Sequence, residues 1–134
     1  ATVGGNIACR RDDSYLGALF SVMGVKTYAV TPHGEGEKSV EDYFPTTCRR
    51  LILYFILDPR KDGWVKRFGN TVSSHAALIA AESDGRYALS VKGSQMVIGD
   101  TPEIYKDVEY VSDMFGSAEY KKYLASIVFG LRRK

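Results

Sequence analysis

The stretch Arg-Arg-Leu-Ile-Leu-Tyr-Phe-Ile-Leu-Asp at residues 49–58 is the most concentrated apolar run in the chain. It is short, it is rich in aromatic and branched residues, and Pro59 and a Lys-Asp-Gly turn close it. These features are typical of a strand rather than a helix. The run therefore predicts a strand that is buried on both faces, with the rest of the chain packed around it.

Length and composition indicate a single domain spanning residues 1–134. A chain of this size buries roughly two-thirds of its unfolded surface, which is enough for a core without a metal or cofactor. No apolar run approaches the ~20 residues that cross a bilayer, so we expect no membrane contact. The first residue is Ala1 rather than Met, which fits a mature chain after signal removal, although a cleaved tag leaves the same trace.

The two cysteines, Cys9 and Cys48, allow one disulfide, which would stabilise the fold by ~3 to 4 kcal/mol. Their spacing alone favours neither a bridge nor two free thiols. No further cysteine or paired histidine offers a zinc site, so no metal is expected. The formal net charge of +2 is too small to indicate a polyanionic partner, and local basic pairs such as Arg49–Arg50 matter more.

Local patterns predict the helices and strands. Residues 1–8 suit an edge strand, and Asp12 and Asp13 are N-cap residues for a helix that ends at Gly24. The Asp-Gly pair at 84–85 predicts a tight hairpin turn, whose two strands would join residues 49–58 in a three-stranded meander. Strands are predicted at residues 26–31, 40–44, 76–81, 86–91 and 95–98.

The remaining segments are a loop, an irregular stretch and two C-terminal helices. The Gly-rich residues 32–36 break the first strand, and residues 64–68 alternate apolar and basic side chains in a half-exposed segment. Thr101 and Pro102 begin a helix that Gly116 ends, and Ser117 caps a second one.

This order of elements resembles the small secreted fungal guanyl-specific ribonucleases. Thr31-Pro32-His33 is similar to the family's Tyr-Pro-His, and residues 53–57 stand where the family has a Glu-aromatic-Pro strand. The hairpin at 77–91 is similar to the family's last two strands. The resemblance covers about residues 9–95. It implies an α+β, microbial-ribonuclease-like core at about 9–99, with one N-terminal helix packed on a central antiparallel sheet and an added helical extension at about 101–131.

Departures from the family pattern decide the expected activity. The family's Glu, Arg and second His fall on Leu53, Ala77 and Lys92, and its first Tyr falls on Thr31, so only His33 remains. We therefore expect no catalytic residues, because one group cannot act as both acid and base and the charge stabiliser is lost. Such a chain resembles the catalytically dead ribonuclease-like effectors of powdery mildew fungi.

That resemblance implies a monomeric virulence or avirulence protein that is secreted, enters the host cell cytoplasm and binds host RNA or a host protein, including a plant immune receptor. It also leaves Cys9 and Cys48 as the bridge. Phosphate contacts from basic side chains, stacking by Tyr54 or Trp64 and a role for His33 are expected. The alternative is that Tyr54 and Trp64 belong to the core and that the basic residues form a solvated face. The candidate binding residues are His33, Arg49, Arg50, Tyr54, Lys66, Arg67 and Lys92.

Two further functions stay open from the sequence. One is an active ribonuclease in which His33 works with His75, Glu82 or Lys92. The other is a protein-interaction module whose contact surface is the basic C-terminal helices.

Overall fold

The computed structural model of the protein describes residues 2–45 and 49–130, and within them it confirms the predicted α+β class. The strands are β1 (Lys26–Thr31), β2 (Gly34–Ser39), β3 (Leu51–Ile56), β4 (Trp64–Phe68), β5 (Leu78–Ser83), β6 (Arg86–Val91) and β7 (Val97–Gly99). The helices are α1 (Val3–Ala8), α2 (Tyr15–Val22), α3 (Val40–Tyr43), α4 (Ala118–Val128) and a 3-10 helix at Pro102–Asp107. The strands form two antiparallel sheets, in the orders β2-β1-β3 and β4-β5-β6-β7.

The strand that is buried on both faces is β5. Leu78 and Ala80 pack in a cluster with Leu124 of α4, while Ile79 and Ala81 pack with α2 on the opposite face. Helices thus cover both sides of this sheet, which explains why β5 reads as a nearly continuous apolar run.

The prediction that residues 49–58 form the doubly buried central strand is wrong. β3 lies at the edge of the smaller sheet, where it pairs with β1. Ile52 and Phe55 pack towards the helices, but Leu51, Leu53 and the other outward side chains are exposed. An apolar run indicates that a strand can be buried, but it does not show whether another element packs on it.

The hairpin predicted at the Asp-Gly pair is confirmed. β5 and β6 pair in register from Leu78↔Val91 to Ser83↔Arg86, and Asp84 and Gly85 have φ values of 48° and 75°, as a tight hairpin turn needs. The predicted meander with residues 49–58 is wrong, because β5 pairs with β4 on its other side. Residues 64–68, predicted to be irregular, are that regular strand.

Side-chain caps explain three differences between the predicted and the observed elements in the N-terminal third. Residues 1–8 form α1 instead of an edge strand, because the Thr2 hydroxyl accepts from the Gly5 amide. The cap of α2 is Ser14, which accepts from the Gly17 amide at 2.9 Å, and not Asp12 or Asp13. Residues 40–44 begin a helical turn instead of a strand, because Ser39 caps α3.

The loop predicted at residues 32–36 is also shorter than expected. β2 begins at Gly34 and pairs with β1 along its whole length. Glycines and charged residues are tolerated there because β2 is an edge strand and largely exposed.

The C-terminal part matches the prediction at its second helix. Ser117 caps α4, accepting from the Tyr120 amide. The helix predicted between Thr101 and Gly116 is wrong: only the 3-10 turn at Pro102–Asp107 forms, and Thr101 makes no capping hydrogen bond. Without a side-chain cap the helix does not continue, and residues 108–112 are irregular.

Cys9 ends α1 and is exposed. Cys48 lies outside the described residues, so the Cys9–Cys48 disulfide stays a prediction. None of the helices in the described ranges combines the length and apolar character that crossing a bilayer requires.

Candidate functional site

A cleft of about 430 Å³ lies between the helices and the sheet of β4–β7. One wall is the segment that joins α1 to α2, the second is α3, and the third is the end of β6 with β7. This volume is within the range of small-molecule and cofactor pockets. The cleft is lined by Arg10, Arg11, Asp12, Ser14, Ala18, Glu41, Asp42, Phe44, Pro45, Ser90, Ser94, Gln95, Met96 and Ile98.

Arg10 stands at the start of the first wall in a backbone conformation that favours glycine. Its φ is 48°, which costs a residue with a side chain about 1 kcal/mol. The guanidinium lies over the ring of buried Tyr43, 4.5 Å from the centroid. The aromatic face therefore holds this cation beside the cleft.

Asp12 is fixed against the sheet wall. Its carboxylate accepts from Nζ of Lys92 at 2.7 Å and from the Gly93 amide at 3.3 Å. The hydroxyl of Ser90 donates to the Asp12 carbonyl. The segment between α1 and α2 is thus tied to the end of β6, which sets the width of the cleft.

Asp13 holds the neighbouring basic groups. Arg11 donates to its two carboxylate oxygens at 2.8 and 2.9 Å, and His75 bonds the same carboxylate. Burial on its own raises the pKa of Asp13, but the hydrogen bonds and charges of Arg11 and His75 outweigh it and lower the pKa to about 2. Asp13 is therefore ionised at neutral pH.

The α3 wall carries carboxylates and an aromatic ring. Glu41 accepts from Arg86 at 2.7 Å, and Asp42 accepts from the Ser39 hydroxyl at 2.8 Å. The Phe44 ring lies against Gly17, where an added Cβ would meet the ring at 2.3 Å. A glycine at position 17 is what lets this wall approach α2.

The cleft therefore combines two guanidinium groups, two carboxylates on the facing wall and apolar surface from Phe44, Met96 and Ile98. Guanidinium groups bind phosphate, carboxylates accept from hydroxyl groups, and apolar walls receive a flat ring. A ligand that carries all three kinds of group matches this lining. No group of three His, Cys, Asp or Glu within the described ranges is arranged to hold a metal ion.

The residues predicted from the sequence for RNA binding are spread over both sheets. His33 is exposed in the turn between β1 and β2, and Tyr54 stacks on Tyr28 with ring centroids 5.0 Å apart. Arg49 and Arg50 precede β3 on the same sheet.

The other three predicted residues belong to the larger sheet. Lys66 lies over Phe68, Arg67 donates to the Thr71 carbonyl at 3.1 Å, and Lys92 pairs with Asp12. Only Lys92 adjoins the cleft, through that ion pair.

The positions compared with the ribonuclease family are also divided between the two sheets. The Lys92 amide donates to the Ala77 carbonyl at 3.0 Å, whereas His33 and Leu53 belong to the smaller sheet. The three proposed partners of His33 are each engaged elsewhere: His75 with Asp13, Glu82 with the Trp64 indole at 2.8 Å, and Lys92 with Asp12.

Sequence reasoning missed the cleft. It treated Asp12 and Asp13 as helix caps and Arg10 only as part of a local basic pair, and it did not single out Glu41 or Asp42. The signal available was the run Arg-Arg-Asp-Asp-Ser at 10–14, because five polar residues between two apolar helices are more than a cap requires.

No family model matches the chain. In sequence it is similar to a phospholipase C of Clostridium haemolyticum, with 27% identity over 90 residues that make up 67% of this chain and 23% of that protein. The match thus concerns less than a quarter of the phospholipase.

Three solved oxidoreductases share the fold. Quinoline 2-oxidoreductase from Pseudomonas putida 86 matches 96% of this chain with a TM-score of 0.76 and 18% identity. A reconstituted CO dehydrogenase from Oligotropha carboxidovorans matches 99% of this chain, with a TM-score of 0.77 and 19% identity. The third is a carbon monoxide dehydrogenase from Hydrogenophaga pseudoflava that lacks the Mo-pyranopterin moiety of its molybdenum cofactor. It matches 94% of this chain, with a TM-score of 0.74 and 16% identity. The chain spans 57%, 59% and 57% of these chains.

Proposed function

We propose that this chain is a cofactor-binding part of an oxidoreductase, and that the cleft between α2, α3 and β7 takes a nucleotide cofactor. The observation that carries the proposal is the similarity of fold to three oxidoreductases along 94–99% of this chain. Because the chain spans less than two-thirds of each, the proposal concerns one part of such an enzyme and not the oxidation of its substrate.

An organic cofactor suits the side chains better than an iron–sulfur cluster. Such clusters are generally held by four cysteine thiolates, and this chain has two cysteines in all. A flavin nucleotide accepts electrons in pairs and passes them on, which is the chemistry an oxidoreductase needs from such a component. Among nucleotide cofactors we therefore favour a flavin.

The lining offers a group for each part of a flavin nucleotide. Arg10 and Arg11 bind phosphate, and the carboxylates of Glu41 and Asp42 accept from ribityl or ribose hydroxyl groups. Phe44, Met96 and Ile98 supply apolar surface for the ring. Arg10 is the phosphate ligand chosen for the test, because its guanidinium lines the cleft and lies over the Tyr43 ring.

The experiment is a titration of the protein with FAD, FMN and NADH, followed by flavin or nicotinamide fluorescence and by calorimetry. We expect a flavin to bind and Arg10→Asn to weaken binding by about tenfold or more, since a charge-assisted hydrogen bond is lost. Asn is chosen because it tolerates a positive φ.

Arg60→Asn is the matched control, because the Arg60 side chain is 88% exposed and lies outside the cleft. It should leave the affinity unchanged. Absence of flavin binding, or equal losses in the two variants, would contradict the proposal.

The ribonuclease-like effector function stays a prediction. It rests on the resemblance of the Pro-His loop and the hairpin, and secretion, host entry, RNA binding and recognition by an immune receptor belong to it. Its direct test is RNA binding as a function of salt, with Lys66→Glu/Arg67→Glu as the variant. Affinity that falls steeply with salt and is lost in the variant would support it; binding that ignores salt would count against it.

A further inference from the structure

The outer edge of β3 lacks a strand partner among the described residues. β3 pairs with β1 along one side, and no strand in residues 2–45 or 49–130 pairs with the other. Its sequence Leu-Ile-Leu-Tyr-Phe-Ile contains no charge, proline or glycine. Exposed edges usually carry such residues, because an unpaired row of backbone amides and carbonyls recruits another strand.

The side chains of β3 divide between two faces in an unusual pattern. Ile52 and Phe55 point inwards to the helices, and the other four point outwards and are 39–66% exposed: Leu51, Leu53, Tyr54 and Ile56. Two adjacent outward residues in the middle are the consequence of a bulge, since the pairing with β1 passes from Tyr28↔Tyr54 to Ala29↔Ile52. The pattern is therefore symmetric about the centre of the strand.

This symmetry makes β3 complementary to itself. In an antiparallel pair of two identical strands, the register that sets Leu53 opposite Tyr54 also sets Ile52 opposite Phe55 and Leu51 opposite Ile56. Inward residues then meet inward residues, and outward residues meet outward residues, at all six positions. A shift by one or two residues sets inward residues opposite outward ones.

The flanking charges agree with the same register. Arg49 precedes β3 and Asp58 follows it. Asp58 accepts from Arg60 of its own chain at 3.0 Å, and the register also sets it opposite Arg49 of the other copy. The two-fold axis generates this pair twice. Opposite charges across a strand pair stabilise it, whereas like charges weaken it.

We propose that β3 pairs antiparallel with β3 of a second copy of this chain, in the register that sets Leu53 opposite Tyr54. The two small sheets then form one six-stranded sheet, β2-β1-β3 continued by β3-β1-β2 of the second copy, about a two-fold axis. The dimer differs from the monomer expected from the sequence. It sets the exposed apolar residues of β3 beside those of the second copy and pairs the backbone groups of the outer edge.

The first test is sedimentation equilibrium of the whole chain across a range of concentrations. We expect a monomer–dimer equilibrium, and Leu53→Lys should raise its dissociation constant by about tenfold, because two charged side chains enter the centre of the pair. Val72→Lys is the matched control, since Val72 is a 96% exposed apolar residue in the β4–β5 loop. Circular dichroism verifies that each variant is folded.

The second test reads the register. Arg49→Asp and Asp58→Arg each place two like-charge pairs in the dimer and should weaken it about threefold, while the double variant restores the pairs and should recover the original affinity. A chain that remains monomeric at about 1 mM would overturn the proposal. So would a dimer that Leu53→Lys leaves unchanged, or a double variant as weak as the two single variants combined.

Discussion

β3 and β5 are both six-residue strands that begin Leu-Ile, yet β3 lies at an exposed edge and β5 lies in the middle of the other sheet. β3 continues with large side chains, Leu-Tyr-Phe-Ile. β5 continues with Ala80 and Ala81, which are small enough for α4 and α2 to pack closely on its two faces. Small residues and a covering helix on each side therefore decide whether a strand is buried, and its total hydrophobicity does not.

The largest effect is expected when one large apolar side chain in each strand is replaced by alanine. Ile79→Ala on β5 should lower the free energy of unfolding by about 3 kcal/mol, because it leaves a cavity in a fully buried site. Leu53→Ala on β3 should cost less than about 1 kcal/mol, since Leu53 is 51% exposed. Urea unfolding at low protein concentration measures both. Similar losses of stability in the two variants would contradict the difference in burial between β3 and β5.

The sequence predicted the parts of the fold that depend on local chemistry. The Asp84-Gly85 turn, the Ser117 cap and the strand at β1 follow from residues that act within a few positions of themselves. The place of β3 depends on which strand pairs with the second side of β5, and β4 occupies that position. Local pattern carries no information on that choice.

The candidate site was out of reach for the same reason. Its three walls come from residues 10–18, 41–45 and 90–98, and contacts such as Asp12 with Lys92 join positions about eighty residues apart. Ser14 fills the capping role that the sequence predicted for Asp12. The partner of Asp12, which gives it a different role, became visible only when the helices were placed against the sheet.

A second effect concerns the charge buried beside β5. Lys121 of α4 is fully buried, and its ammonium group donates to Asp113 at 2.7 Å and to the Val111 carbonyl at 2.8 Å. Lys121→Met should lower the free energy of unfolding by about 2 kcal/mol, because Asp113 and the Val111 carbonyl lose a buried, charged hydrogen-bond donor.

The matched control is Lys106→Met. Lys106 makes an equally short pair with Glu103, 2.6 Å, but on the surface. Its loss should leave the free energy of unfolding nearly unchanged in the same experiment, because water screens an exposed pair. Equal effects at the two lysines would show that burial over β5 does not set the strength of the pair.

The smallest effect is the pH dependence contributed by Asp13, whose partner His75 precedes β5. Because the pKa of Asp13 is lowered from 3.8 to about 2, its stabilisation is complete above about pH 4 and disappears as the pH falls towards 2. Asp13→Asn should cost about 1 kcal/mol at pH 7, a value that allows for solvent screening around half-exposed Arg11. Unfolding curves from pH 7 to 2 should converge for the variant and the parent protein; a constant difference would contradict the ion-pair origin.

The contrast between the two strands is tested most directly by native-state hydrogen exchange, at a protein concentration low enough for the monomer to dominate. We predict that the amides of β5 exchange only through global unfolding, whereas those of β3 exchange by local opening, on the order of a hundredfold faster. If the slowest amides of the monomer lay in residues 51–56, or if the two strands exchanged at the same rate, β3 and not β5 would be the core of the protein.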